Sequence, residues 1–284
     1  MTDSSTLGNI KIGFIGCGNM SSAIIKGLVQ AQYDPLDITV SNRTVEKLQS
    51  IQKELNIGIS QNNSDICENS SVIVIGVKPQ MFETVCKPLA DIDLSDKLII
   101  SIAAGIKTPQ VSALLQQDLS IVRAMPNTPS VISEGATGLF ANSKCSQRQK
   151  DIANKIFQSV GGTAWVKDEN QINIVTAIAG SAPAYIYLFM QAMVDQAVSL
   201  GFNSQDARTL ITQSFIGTAK LAQFKSDIEL DELRQAVTSP GGTTFEAIQS
   251  FNNNNFSEIV KDAVNAAYNR GISLGETEEE GKLL

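Results

Sequence analysis

The chain has 284 residues, enough for two domains of ordinary size, and 43% of them are hydrophobic, which excludes a disordered protein. Its formal net charge of −7 excludes a broad basic surface for nucleic acid while leaving room for a local basic pocket. There is no histidine, so the commonest general acid–base and the commonest zinc ligand are both missing, and no metal site is expected.

The first part of the chain alternates short apolar runs with amphipathic stretches. Strands are predicted over residues 11–15, 38–41, 72–77 and 98–102, with helices over 21–32 and 44–55. Strand–helix alternation of this kind implies a parallel sheet covered by helices. Residues 120–124 and 137–141 continue the sheet, followed by a helix over 147–160 and a last strand at 163–167. Beyond Lys167 apolar residues recur at helical spacing only, predicting helices over 171–200, 204–224, 230–236, 243–251 and 256–274. Gly201 fits a helix stop, and Asn203 or Ser204 the following N-cap. The expected fold is therefore α/β in residues 1–167 and all-α in residues 168–284.

Four cysteines, Cys17, Cys67, Cys86 and Cys145, are scattered without a CxxC pair, the usage of buried thiols in a reducing compartment. No basic region precedes an apolar one at the start, and the apolar stretch 172–200 is interrupted by Asp195 and several polar residues. Neither a signal peptide nor a membrane span is expected, and the protein is read as soluble and cytoplasmic.

Gly16-Cys17-Gly18-Asn19-Met20-Ser21 follows the first strand and opens the first helix. The first two glycines fit a dinucleotide fingerprint, in which one permits a tight turn and the next lets the backbone approach a pyrophosphate on the helix N-terminus. The third position is a small serine, not glycine or alanine. Ile15 through Met20 are thus expected to border a dinucleotide. At the tip of the second strand, Asn42-Arg43-Thr44 stands where NAD enzymes tend to carry an acid for the ribose 2′-hydroxyl. Arg43 would instead pair with a 2′-phosphate, and Asn42 and Thr44 could donate to it, so NADPH is expected, with NADH as the alternative.

Six stretches in order, GFIGCGNM from Gly13, VKPQ from Val77, SIAAG from Ser101, RAMPNTP from Arg123, GSAPAY from Gly180 and VTSPGGTT from Val237, resemble pyrroline-5-carboxylate reductase. The resemblance runs from Gly13 to about Leu274. It implies a Rossmann-type N-terminal domain, an all-α C-terminal dimerisation domain and reduction of 1-pyrroline-5-carboxylate to L-proline, the last step of proline biosynthesis. It also implies a homodimer, or a higher homo-oligomer such as a ring of dimers, with no nucleic-acid or membrane partner. It assigns Asn63, Gly76, Val77, Lys78, Pro79, Ala103 and Ala104 to the cofactor, and sets Met125 and Pro126 beside the nicotinamide. Ser239, Gly242, Thr243 and Thr244 take the substrate carboxylate by the same resemblance, since backbone N–H groups at a helix start and nearby glycines suit an anion. Without the resemblance, Ser-Pro-Gly-Gly reads as an ordinary turn and Thr243 as an ordinary cap. Ala182 departs from the family's usual glycine in GSGPAY, and Pro183 implies a kink.

The chemistry suits a chain without histidine. A protonated cyclic imine is already activated, so orientation carries much of the catalysis. By resemblance Thr244 is the catalytic residue, its hydroxyl hydrogen-bonded to the ring nitrogen as an orienter. β-Hydroxy acid dehydrogenases of similar two-domain type carry a helical lysine with an asparagine one turn later; residues 170–200 hold no lysine. A nucleotide sensor that lost catalysis would not need the SPGGTT segment.

Overall fold

The structure is a computed structural model that describes residues 10–279, with side chains described to Gly275. The chain forms two compact units: the first runs to Ser181 and takes in the chain again from Ala267, and the second is Ala182–Ala266.

In the first unit, Ile12–Ile15 (β1), Ile38–Ser41 (β2), Gly58–Ser60 (β3), Val72–Ile75 (β4), Leu98–Ser101 (β5), Ser120–Met125 (β6), Gly135–Ala141 (β7) and Gly161–Trp165 (β8) form one sheet ordered β3-β2-β1-β4-β5-β6-β7-β8. Its helices are Asn19–Gln30 (α1), Val45–Leu55 (α2), Asn63–Asn69 (α3), Pro79–Cys86 (α4), Thr108–Leu115 (α5), Gln147–Gln158 (α6) and Gln171–Val175 (α7). β1, β4 and β5 are buried on both faces because their sequences, IGFI, VIVI and LIIS, put an apolar residue toward a helical layer from nearly every position. Ile12, Phe14, Val72, Val74 and Ile100 face one core with Ile24, Leu28, Ile156 and Phe157, whereas Ile15, Ile73, Ile75 and Ile99 face the other with Ile66, Phe82, Val111 and Leu115.

The expected parallel sheet holds for every neighbouring pair except one: β6 and β7 are antiparallel. The chain between them makes only a short 3-10 turn, Thr128–Ile132, and has no crossover helix with which to return parallel. Strand β3 and helices α3, α4 and α5 were not among the expected elements.

The last strand, expected over 163–167, runs from Gly161 to Trp165, and the first compact unit continues past the expected boundary at Lys167 to Ser181. The reason is close packing of α7 on β7. Gly138 lacks the methyl that would lie 2.5 Å from Val175 Cγ1, so the two backbones approach closely. A buried ion pair ties the same region together: Arg123 on β6 lies 3.5 Å from Glu169, whose carboxylate also accepts from Thr108 N–H at 2.7 Å and Thr108 Oγ1 at 2.8 Å. Arg123 of the RAMPNTP stretch therefore serves the architecture of the sheet, and removing its partner would leave charge in the interior. The four cysteines are free and buried; burial pushes the Cys86 thiol up to about 12 and the Cys67 and Cys145 thiols up to about 11.

The second unit is helical: Ala182–Ser199 (α8), Ser204–Phe224 (α9), Leu230–Ala236 (α10), Thr243–Asn253 (α11) and the first part of Phe256–Glu279 (α12). Asn203 caps α9, its Oδ1 accepting from Gln205 N–H at 2.9 Å and Asp206 N–H at 3.1 Å, and Gly201 turns the chain before it at φ +89°. Phe189 gathers Phe215, Phe251 and Phe256 at ring separations of 6.0, 5.9 and 6.3 Å. Despite this cluster no residue of α8 is buried, and Leu188, Leu210, Phe224 and Ile259 are exposed. The helix expected over 171–200 is interrupted by a π-helical turn, Thr176–Gly180. By length and composition alone Gln171–Ser199 is apolar enough to cross a membrane, with a mean hydropathy of 1.5 over its most apolar window.

Candidate functional site

The strand order places β1 between β2 and β4, the point where the winding of the sheet reverses and where open α/β sheets bind ligands beyond the strand ends. A cavity of about 470 Å³ lies there. Its floor is the turn from β1 into α1. Gly16 has φ +99°, and a Cβ there would lie 2.8 Å from the Gly76 carbonyl oxygen and 2.9 Å from Val77 Cγ1, so only glycine makes this turn. The turn is pinned by Gly16 N–H to the Ser41 carbonyl and by Gly76 N–H to the Ile15 carbonyl, each at 2.9 Å.

Gly18 is different. It caps α1 with φ −82° and ψ 175°, a conformation open to any residue, and a Cβ on it would meet only the Gly76 oxygen at 3.8 Å. Nothing in the protein requires glycine at 18; what its bareness creates is room beside the unsatisfied N–H groups at the start of α1. That is the fit a pyrophosphate needs. The serine at the third fingerprint position is accommodated from the opposite side. Ser21 is buried, and Gly76 lacks the Cβ that would stand 2.1 Å from its hydroxyl oxygen.

The wall beyond β2 carries the charge. Asn42, Arg43, Thr44 and Lys47 line the cavity, with Lys78 on the β4 side and no acid among the lining residues. Arg43 and Lys47 are exposed and make no ion pair among the described residues. Asn42 is held by two bonds, accepting from Cys17 N–H at 3.5 Å and donating to the Thr44 carbonyl at 3.3 Å. Ser41, buried at the end of β2, donates its hydroxyl at 2.8 Å to Asn63 Oδ1 and so fixes the first residue of α3 at the cavity.

Of the residues expected to border a dinucleotide, Ile15, Gly16, Cys17, Gly18, Asn42, Arg43, Asn63, Gly76, Val77 and Lys78 line this cavity; Asn19, Met20, Pro79, Ala103 and Ala104 do not. Asn19 borders a smaller groove of about 240 Å³ on the far side of Cys17. Ala103 is buried against the sheet, and Pro79 opens α4. Lys47, Met81 and Val85 are lining residues that the sequence reading missed. The available signal was partial: Val85 follows Met81 by one turn of α4, and Lys47 lies in the first turn of α2 just beyond Arg43.

The segment expected to take a carboxylate lies within the second unit. Gly241 turns at φ +70°, Gly242 is the N-cap of α11, and no side chain caps that helix. Gly242 N–H donates to the Ser239 carbonyl at 3.0 Å, and Glu246 N–H is the first to reach back to Gly242, at 3.2 Å. The N–H groups of Thr243, Thr244 and Phe245 are therefore left for an outside acceptor. Both threonines are exposed, and neither hydroxyl has a partner among the described residues.

Residues 11–105 match the family model for the NADP oxidoreductase, coenzyme F420-dependent, and residues 169–274 match that for pyrroline-5-carboxylate reductase dimerisation. A pyrroline-5-carboxylate reductase of Vibrio alginolyticus is 42% identical over 93% of this chain and 97% of its own length. A solved pyrroline-5-carboxylate reductase of Coxiella burnetii superposes with a TM-score of 0.91 at 41% identity, over 94% of this chain and 99% of that one. One from Plasmodium falciparum, solved with NADP bound, gives 0.79 at 29% identity, over 94% and 98% of the two chains. The helical region carries a homo-oligomerisation domain, and the whole chain belongs to the pyrroline-5-carboxylate reductase family.

Proposed function

We propose that the chain reduces 1-pyrroline-5-carboxylate to L-proline with NADPH, the last step of proline biosynthesis. The observation that carries this reading is a cavity at the sheet's switch point with a bare-backbone floor and a basic, acid-free rim. Gly16 to Gly18 and the start of α1 would hold the pyrophosphate, and Arg43, with Lys47 in the first turn of α2, the 2′-phosphate. When bound, the dihydronicotinamide supplies the hydride. The N–H groups at the start of α11 hold the substrate carboxylate, and the Thr244 hydroxyl orients the ring nitrogen. Ser239, Gly242 and Thr243 complete that cradle. The substrate brings its own proton on the iminium nitrogen, so the protein's task is orientation and exclusion of water. In the assay that tests this, NADPH is oxidised and proline accumulates only when 1-pyrroline-5-carboxylate is added. Absence of substrate-dependent oxidation would refute it.

The rim makes the cofactor choice measurable. Arg43→Ala is expected to weaken NADPH binding more than NADH binding, by about 1–2 kcal/mol, the size of a lost charge-assisted contact. Equal losses in titrations with the two cofactors would remove Arg43 from the 2′-phosphate site.

The exposed apolar side chains of α8 and α9 are read as the face that a second copy covers, not a lipid. The working species is then a homodimer or a larger assembly of dimers, cytoplasmic, without nucleic-acid or membrane partners. Light scattering is expected to give at least twice the chain mass at every concentration that supports activity. A monodisperse, active monomer would contradict it.

A further inference from the structure

The loop after β6 carries a side chain whose bonds the proposed chemistry does not use. Asn127 is 9% exposed. Its Oδ1 accepts from Ala136 N–H at 2.8 Å, at the start of β7, and its Nδ2 donates to the Ala179 carbonyl at 3.0 Å. Only one orientation of the amide satisfies both partners, because one is a donor and the other an acceptor.

Ala179 lies in the π-helical turn Thr176–Gly180, where Ser181 N–H reaches back to the Thr176 carbonyl at 2.8 Å. In an α-helix the Ala179 carbonyl would take the N–H of residue 183, but that residue is proline and has none to give. Asn127 supplies from another part of the chain the donor that Pro183 removes. The turn also presses on the end of β6, for a Cβ at Gly180 would lie 2.9 Å from Met125 Cε. Met125 and Pro126 are the residues that the family resemblance sets beside the nicotinamide. Single π-turns of this kind recur at functional sites, where a widened turn re-aims the residues after it.

We propose that Asn127 is a positioning residue for hydride transfer: through the Ala179 carbonyl it holds the π-turn against Met125, and so fixes the wall on which the reacting groups are aligned. This rests on the reaction proposed above.

Asn127→Asp is nearly isosteric and tests it. The carboxylate still accepts from Ala136 N–H, but at neutral pH it turns a lone pair toward the Ala179 carbonyl; once protonated it donates again. Residues 125–141 and 171–181, which contain the segments bonded to it, hold a single ionisable side chain, Glu134. Helix α1, which packs on the turn after Asn127, adds Lys26, itself paired with Glu54 at 2.7 Å. Burial of position 127 favours the protonated form, so the working geometry returns as pH falls. With NADPH saturating, kcat at neutral pH is expected to fall roughly ten- to a hundredfold, with the KM for NADPH within about twofold of wild type. The ratio of variant to wild-type kcat then rises as pH is lowered. Asn127→Ala shows the same loss without the recovery; if it does not fold, the pH ratio of Asn127→Asp decides alone. A wild-type chain that does not turn over refutes the reaction itself. A wild-type chain that does, beside an Asn127→Asp variant with normal kcat per folded enzyme or a pH-independent ratio, overturns the positioning role.

Discussion

In the Thr244→Val variant, kcat/KM for 1-pyrroline-5-carboxylate is expected to fall roughly ten- to a thousandfold, with NADPH affinity nearly unchanged. Valine keeps the β-branched shape and helical rotamer of threonine and removes only the hydroxyl. The structure sharpens what this substitution can mean. α11 starts at Gly242 without a side-chain cap, so the Thr244 hydroxyl is not spent on stabilising the helix end. Thr244 is exposed and its hydroxyl makes no bond among the described residues, so losing it should change stability by no more than about 0.5 kcal/mol. Activity and stability should therefore separate cleanly. Steady-state kinetics, a cofactor titration and a melting curve on the same preparation read all three quantities. A near-normal kcat/KM, or a loss of activity that tracks a lowered Tm, would sink the orienting role.

That separation follows from where the two sites sit in the chain. The cavity proposed for the cofactor belongs to the first unit and the segment proposed for the carboxylate to the second, so each can be perturbed by itself. It also bears on the absence of histidine. The hydroxyl of threonine is too weak an acid to protonate a leaving group, but an iminium substrate asks for none. The residues needed are those that set distance and angle, and such roles can be filled by backbone N–H groups, a hydroxyl and a well-held turn.

How far the sequence could be read depended on how much of each element's job it does by itself. β1, β4 and β5 are dense apolar runs because both faces are buried, and such runs stand out from their neighbours. β3 is a part-buried edge strand of sequence GIS, with no pattern to detect. α4 and α5 carry proline in their first turn and span eight residues each, too short for a helical period to accumulate. The glycine fingerprint and Arg43 were legible because their chemistry is local. Lys47, Met81 and Val85 were not, because only the packing of α2 and α4 on the sheet turns those faces to the cavity. The π-turn at Thr176–Gly180 left one trace, Pro183, which was read as a kink; that its missing N–H is answered by Asn127 is a long-range fact.

The two fingerprint glycines do different work, and a pair of alanine substitutions separates them. Gly16→Ala puts a methyl at φ +99° and 2.8 Å from the Gly76 oxygen, which is backbone and cannot swing aside. Strain of about 1–3 kcal/mol from the left-handed conformation alone implies a Tm lower by roughly 2–12 °C for a unit of this size, with cofactor binding lost as the turn shifts. Gly18→Ala adds the same methyl where φ is −82° and the nearest heavy atom stands 3.8 Å away. Its Tm should stay within about 1 °C of wild type, since a substitution clear of special contacts changes stability little. If the bare backbone at 18 is there to meet a pyrophosphate, NADPH affinity should nevertheless fall roughly ten- to a hundredfold, the equivalent of about one charge-assisted hydrogen bond. NADH should lose as much as NADPH, because both share that pyrophosphate, which distinguishes this effect from that of Arg43→Ala. Calorimetric titration of each variant with each cofactor, beside its melting curve, gives the comparison. A Gly18→Ala protein that binds both cofactors normally would mean that the pyrophosphate does not lie on the start of α1, and the cavity assignment would fall with it.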